Sequence, residues 1–260
     1  SIRRWNAVPD TLLNATDVLD KDGNIVKPKL ALMRDIIKGH IQEQTNIMQA
    51  KGIKEIDLIN ELIHENDIVT QLMQLPASEH AAEHSQWYRW AHETAPDIKL
   101  IANEYDLFQS GNNFHLTFVE YIRKMLSLGA PVHGVGMQGH FFSTVPNFNE
   151  LKKRLDEVAV LGLPMAVTEF DMVSNSYEEM ERVLYAVFSQ PLMTGFTMWG
   201  AWDGRQWRNN SAMFTSDWRL KPSGQAWFDL VKKQWWTDTT FILNQVNPLE
   251  IRAFQGEYDV

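Results

Sequence analysis

Through the middle of this chain, short apolar runs alternate with longer amphipathic stretches. The runs are Ile56–Ile59, Ile98–Ala102, Val132–Met137, Met165–Val167 and Gly195–Trp199. Between them, helical periodicity predicts helices near residues 66–75, 79–94, 113–128, 147–161 and 177–189, and residues 29–50 read as one more helix leading into the first run. Two of the helices stop alike, at Leu128-Gly129-Ala130-Pro131 and Leu161-Gly162-Leu163-Pro164. Glycine suits a left-handed helix cap and proline cannot continue the helix, so each pair marks a return to the next strand. Strands separated by helices pair in parallel through right-handed crossovers, which predicts an α/β sheet or barrel. The ends differ: residues 5–28 carry turn signals such as Asp22-Gly23-Asn24, and residues 239–258 look like short β segments around Asn247-Pro248.

Composition narrows the function classes. A chain of 260 residues with 44% hydrophobic positions can build a sizeable core, as one large domain or two small ones. A net charge of −9 argues against a nucleic-acid surface, and no apolar run approaches the roughly 20 residues of a membrane helix. Cysteine is absent, which removes disulfides, thiolate zinc sites and thiol nucleophiles, and fits the cytosol and a disulfide-free secreted protein equally. Ser1–Trp5 is not followed by the apolar stretch of a signal peptide. Ten tryptophans are many for this length. A large core accounts for them, and so do flat indole faces in a sugar-binding cleft.

The polar residues at the end of each apolar run are more informative. The runs lead into Asn60-Glu61, Asn103-Glu104-Tyr105-Asp106, Gln138-Gly139-His140 and Glu169-Phe170-Asp171, and the last ends at Trp199 with Trp202, Asp203 and Trp207 close behind. In a parallel barrel all C-terminal strand ends open on one face, so these groups would converge. Any one of them could be a solvated loop residue. Two carboxylates, amides, an imidazole and indoles at five consecutive strand ends are the equipment for glycoside hydrolysis. One carboxylic acid protonates the leaving oxygen, and the other carboxylate attacks the anomeric carbon or activates water.

The stretches IDLINE, NEYD, GVGMQGH, VTEFD and FTMWGAWD resemble, in order, the strand-end motifs of family 10 glycoside hydrolases, the endo-β-1,4-xylanases. The resemblance runs from about residue 20 to residue 236, and the tail RAFQGEYDV is similar to the closing β segment of plant-type and related bacterial members. It implies a retaining (β/α)8 TIM barrel, of which this chain supplies about strands 4–8 within residues 1–236, with residues 237–260 as a short β extension packed on it. By the resemblance, Glu61 is the acid/base and Glu169 the nucleophile. Asn60 would bond the 2-hydroxyl of the sugar being cleaved, and His140 would hold the nucleophile, oriented by Asp171, with Gln138 beside them. Asn103 and Tyr105 would line the substrate, Tyr105 on the leaving-group side, with Trp199 and Trp207 enclosing the −1 sugar and Trp202 nearby. Retention implies carboxyl groups about 5–5.5 Å apart. The implied partner is xylan or a xylo-oligosaccharide, with no cofactor or metal. The implied setting is secreted, periplasmic or cell-surface.

The chain also departs from the family pattern. Ile56 stands where the family usually has Trp, and Leu62 where Pro often comes after the acid/base. The family's first three strands, which carry glycone-binding residues, precede everything seen here. A five-stranded piece would expose two unpaired sheet edges, so the missing strands are expected from a preceding segment or a separate N-terminal fragment, and the chain alone is expected to have little activity. Rival readings are a cellulase or mannanase of the same clan, and a non-catalytic sugar-binding barrel. A further rival is a zinc peptidase through His80-Ala81-Ala82-Glu83-His84, which matches H-x-x-E-H. Glu79, Gln86 and Arg89 nearby favour a solvated helix face over a metal site.

Overall fold

The computed structural model of the chain describes residues 8–109, 111–238, 240 and 253–254. A short helix, α1 (Asp10–Leu13), and an antiparallel hairpin, β1 (Val18–Leu19) with β2 (Ile25–Lys27), precede the long helix α2 (Lys29–Ala50). Strands alternating with helices come next: β3 (Glu55–Asn60), α3 (Ala77–Thr94), β4 (Lys99–Glu104), α4 (Phe114–Ser127) and β5 (Gly134–Met137). After a two-residue strand β6 (His140–Phe141) come α5 (Phe148–Ala159), β7 (Met165–Met172), α6 (Tyr177–Phe188), β8 (Met193–Met198) and α7 (Pro222–Asp229).

The main sheet is parallel, in the order β3-β4-β5-β7-β8, and β6 prolongs β5 along the far half of β7. Sequential order means every right-handed crossover turns the same way, so the helices gather on one face. There α2 to α7 pack each against the next. Leu100, Ala102, Val135, Met137, Met165 and Val167 of the strands meet Tyr88, Phe118, Ile122, Leu155, Met180 and Val183 of the helices, all essentially without solvent exposure. The opposite face is half open, with Asp57, Asn60, Gly195 and Thr197 exposed on the outermost strands. Among the described residues β3 bonds only β4, and β8 only β7, so the sheet is an arc with two free edges.

Three expectations change. Residues 66–75 form no regular α-helix but a π-type turn over Ile68–Leu72, where Ile68, Val69 and Thr70 are β-branched in succession. The helix α7 has Pro222 in its first turn, and nothing in the apolar periodicity pointed to it. The HAAEH segment of α3 is not a solvated face: His80, Glu83 and His84 keep 7%, 5% and 2% of their exposure. Neighbouring helices take up their polar atoms. Glu83 accepts from Arg34 Nε and Nη2 at 2.9 and 2.6 Å and from Trp87 Nε1 at 3.1 Å. His84 Nδ1 meets the Tyr121 hydroxyl at 2.8 Å, and His80 Nε2 the Leu75 carbonyl at 2.9 Å. The predicted β extension over residues 237–260 lies almost wholly outside the described residues. Within it, Phe254 donates its N–H to Thr237 Oγ1 at 3.2 Å and meets Phe188 edge-on.

Candidate active site

Each strand end delivers a different member of one cluster. The Glu61 N–H donates to the Asn103 carbonyl at 2.8 Å, carrying the β3–β4 ladder one residue past β3. The backbone then turns sharply, with Glu61 at φ 57°, a left-handed conformation uncommon for a side chain of this size. Gly139, at φ 81°, makes the bend between β5 and β6 that leaves Gln138 and His140 both facing the cluster. Glu169 and Asp171 alternate with the core residue Phe170 along β7, which sends both acids to one face.

The two carboxylates are joined through three amides. Gln138 Nε2 donates to Glu61 Oε1 at 2.8 Å and to Asn60 Oδ1 at 3.4 Å. Asn103 Nδ2 donates to the same Asn60 oxygen at 2.9 Å and to Glu169 Oε1 at 2.8 Å. With its oxygen so used, the amide N–H pair of Asn60 is the donor it can offer a ligand. The Asn103 oxygen accepts from Thr168 Oγ1 at 2.7 Å. A Cβ at Gly136 would stand 2.3 Å from that oxygen, so the amide has room only because β5 carries glycine there.

His140 lies between the two acids of β7. Its Nε2 is 3.5 Å from Glu169 Oε2 and its Nδ1 2.9 Å from Asp171 Oδ1. The other Asp171 oxygen accepts the Trp207 indole N–H at 2.6 Å. Burial opposes charge on His140, but Asp171 and Glu169 outweigh it and raise its pKa to about 9. The ring is therefore a cation at neutral pH, set between the two acids of β7.

Aromatic rings border the cluster. Trp207 and Trp199 stand edge-on to His140 at 5.1 and 6.4 Å, and both remain about half exposed. Tyr105 stacks on His64 at 3.8 Å, and burial with nearby carboxylates pushes its hydroxyl up to about 12. Trp202 stands apart from these hydrogen bonds, stacked on Trp218 at 5.2 Å with its N–H on the Ser216 carbonyl. Of the eleven candidates, ten gather round one site and Trp202 lines the adjoining loop.

Sequence reasoning passed over three participants. Behind Glu61 the buried Glu104 pairs with the half-buried His64, with Nδ1 and Oε1 2.9 Å apart. Burial raises the Glu104 pKa against the opposing pull of its donors. Asp57, paired in register with Ile101 on the inner face of β3, keeps solvent contact along the open face, yet partial desolvation and then the charge of Glu169 push its carboxyl up to about 6. Strand alternation alone would turn it away from Asn60, three residues on, and only the bulge between Asp57 and Ile59 brings the two to one face, so spacing in IDLINE could not have found it.

Comparison with known proteins decides the family, since the profile of glycosyl hydrolase family 10 matches residues 9–230. The chain belongs to glycosyl hydrolase family 10. It is 27% identical to endo-1,4-beta-xylanase 3 of Arabidopsis thaliana over 255 residues, which are 95% of this chain and 30% of that protein. It is 30% identical to the anti-sigma-I factor RsgI6 of Acetivibrio thermocellus over 212 residues, 78% of this chain and 26% of that one. The chain thus spans well under half of the length of these relatives. Among solved structures, the family 10 enzyme of Paenibacillus barcinonensis superposes with a TM-score of 0.68 at 20% identity, covering 83% of this chain and 71% of that one. Xylanase 10B of Thermotoga petrophila in complex with xylobiose gives 0.66 at 19% identity, covering 78% and 66%. These family 10 likenesses show the (β/α)8 barrel fold, of which the five βα units here form an arc.

Proposed function

We propose that the cluster is the hydrolytic centre of a retaining endo-1,4-β-xylanase acting on internal bonds of xylan or arabinoxylan. The observation that carries the reading is the amide chain linking Glu61 to Glu169, which gives the two acids different partners. Glu169, bonded by Asn103 and faced by the His140 cation, attacks the anomeric carbon as a carboxylate. Glu61, oriented by Gln138, gives its proton to the leaving oxygen as the glycosidic C–O bond breaks. Glu61 then takes a proton from water, which attacks the anomeric carbon and frees Glu169. The names of the xylanase relatives and the xylobiose held by a family 10 structure support xylan as the polymer. The non-enzyme name of one relative makes a sugar-binding barrel the rival, and the intact carboxylate pair favours catalysis.

The test is hydrolysis of arabinoxylan by the complete protein, with the anomer of the first product followed by NMR. Release of the α-anomer would refute retention. Glu169→Ala is expected to abolish turnover, whereas Glu61→Ala keeps the first step on an activated aryl xyloside, where little protonation is needed. If Glu61→Ala loses that step as well, the two roles must be exchanged. The free edges of β3 and β8 support a barrel completed by strands from a preceding segment or a separate fragment. On that reading the purified 260-residue chain hydrolyses xylan weakly, and robust activity would contradict it. A polymeric substrate supports a secreted, periplasmic or cell-surface setting, which cell fractionation tests.

A further inference from the structure

We propose that Glu104, with His64, is a positioning residue that holds the acid/base Glu61 at its working angle. This rests on the reading of Glu61 as the acid. The turn carrying Glu61 needs such a support, because φ 57° is a strained, left-handed conformation for a non-glycine residue. Leu62, at 1% exposure, anchors the turn in the core but leaves its backbone N–H groups to be satisfied. They meet Glu104. Its Oε2 accepts the Ile63 N–H at 3.0 Å and, more weakly, the His64 N–H at 3.5 Å. Its Oε1 accepts the Tyr105 N–H at 3.0 Å and lies 2.9 Å from His64 Nδ1.

A side chain at zero exposure at the end of β4 could have been apolar, as Leu100 and Ala102 on the same face of the strand are. A buried carboxylate persists only where donors surround it, and here all of the donors come from the two loops that flank the reaction. The turn behind Glu61 and the start of the loop with Tyr105 are thus tied to one rigid group. His64 completes the tie by stacking on Tyr105 at 3.8 Å and meeting the Phe114 ring at a tilt at 3.9 Å. Glutamine keeps the shape but turns one acceptor into a donor that faces other N–H groups, so Glu104→Gln loosens the turn without emptying the space. His64→Phe keeps a stacking ring and removes Nδ1.

Leaving-group selectivity in the complete protein is the test. Aryl β-xylobiosides with good and poor leaving groups are compared for wild type, Glu61→Ala, Glu104→Gln and His64→Phe, alongside thermal unfolding. A misheld acid costs only where protonation is required. Glu104→Gln is therefore expected to lose roughly 10–100-fold in kcat/KM on the poor leaving group and less than about 3-fold on the good one. His64→Phe moves the same way by less, and carries the test alone if Glu104→Gln does not fold. Equal losses on both substrates, or a change in unfolding temperature alone, would overturn the positioning role. If Glu61→Ala shows no leaving-group selectivity, or wild type cleaves neither substrate, the reading of Glu61 as acid fails first and takes the positioning role with it.

Discussion

Trp207 donates its indole N–H to Asp171 at 2.6 Å, from a loop 36 residues further along the chain. Asp171 is 1% exposed and gives its other oxygen to His140, so the tryptophan closes the hydrogen bonding of the acid that orients the imidazole. Trp207→Phe keeps the ring beside His140 and strands one buried carboxylate oxygen. The expected cost is about 1–2 kcal/mol in chemical denaturation, with a fall in kcat/KM and little change in fold by circular dichroism. Unchanged stability and activity would show that water satisfies Asp171 equally well.

The His140 charge has a pH signature. Its folded pKa of about 9 lies above the ordinary 6.5, so its interactions with Asp171 and Glu169 stabilise the fold fully below about pH 6.5 and are lost as pH rises through 9. Urea unfolding at pH 6 and pH 9.5 is expected to differ by on the order of 1–2 kcal/mol from this group after solvent screening. His140→Gln is expected to remove most of that difference. A wild-type slope that survives the substitution would assign it to other groups.

Gly136→Ala tests the room made for Asn103. The added carbon would stand 2.3 Å from the Asn103 oxygen and 3.0 Å from Thr168 Cγ2, so the amide must move away from Glu169. A displacement of that kind costs activity on the order of 10²-fold. The check is kcat/KM on xylan, with a melting curve to show that the fold survives.

The polar face of α3 predicts a stability effect without a metal effect. Glu83→Ala leaves the Arg34 guanidinium and the buried Trp87 N–H without their acceptor, at a cost of about 2 kcal/mol. Chelator is expected to change neither unfolding nor hydrolysis. Loss of activity on chelation, restored by zinc, would reopen the peptidase reading of His80-Ala81-Ala82-Glu83-His84.

Local pattern carried the parallel strands and most helices. The five apolar runs each overlap one of the strands β3, β4, β5, β7 and β8, because a strand covered by helices needs unbroken apolar side chains. The helix α2 runs from Lys29 to Ala50 as its periodicity predicts, since one long apolar stripe suffices to define it. The eight-residue α7 escaped because two turns are too short for a period to register, and it carries Trp227 and Phe228 side by side. The HAAEH segment misled because its polarity is local while its burial is not: Arg34 and Tyr121 lie 49 and 37 residues away from the groups they meet.

The sequence by itself determined which residue types stand at the strand ends, and strand alternation already turned Glu169 and Asp171 to one side. Only the tertiary structure decided how they connect. Gln138 serves Glu61, Asn103 serves Glu169, and Asn60 receives both, a division that spacing along the chain cannot express. Glu104 could be read as a strand-end acid but not as the acceptor for the turn behind Glu61, because those donors come from another strand's loop. Periodicity records which face a side chain takes, whereas a hydrogen bond depends on the distance and angle between atoms that only packing brings together.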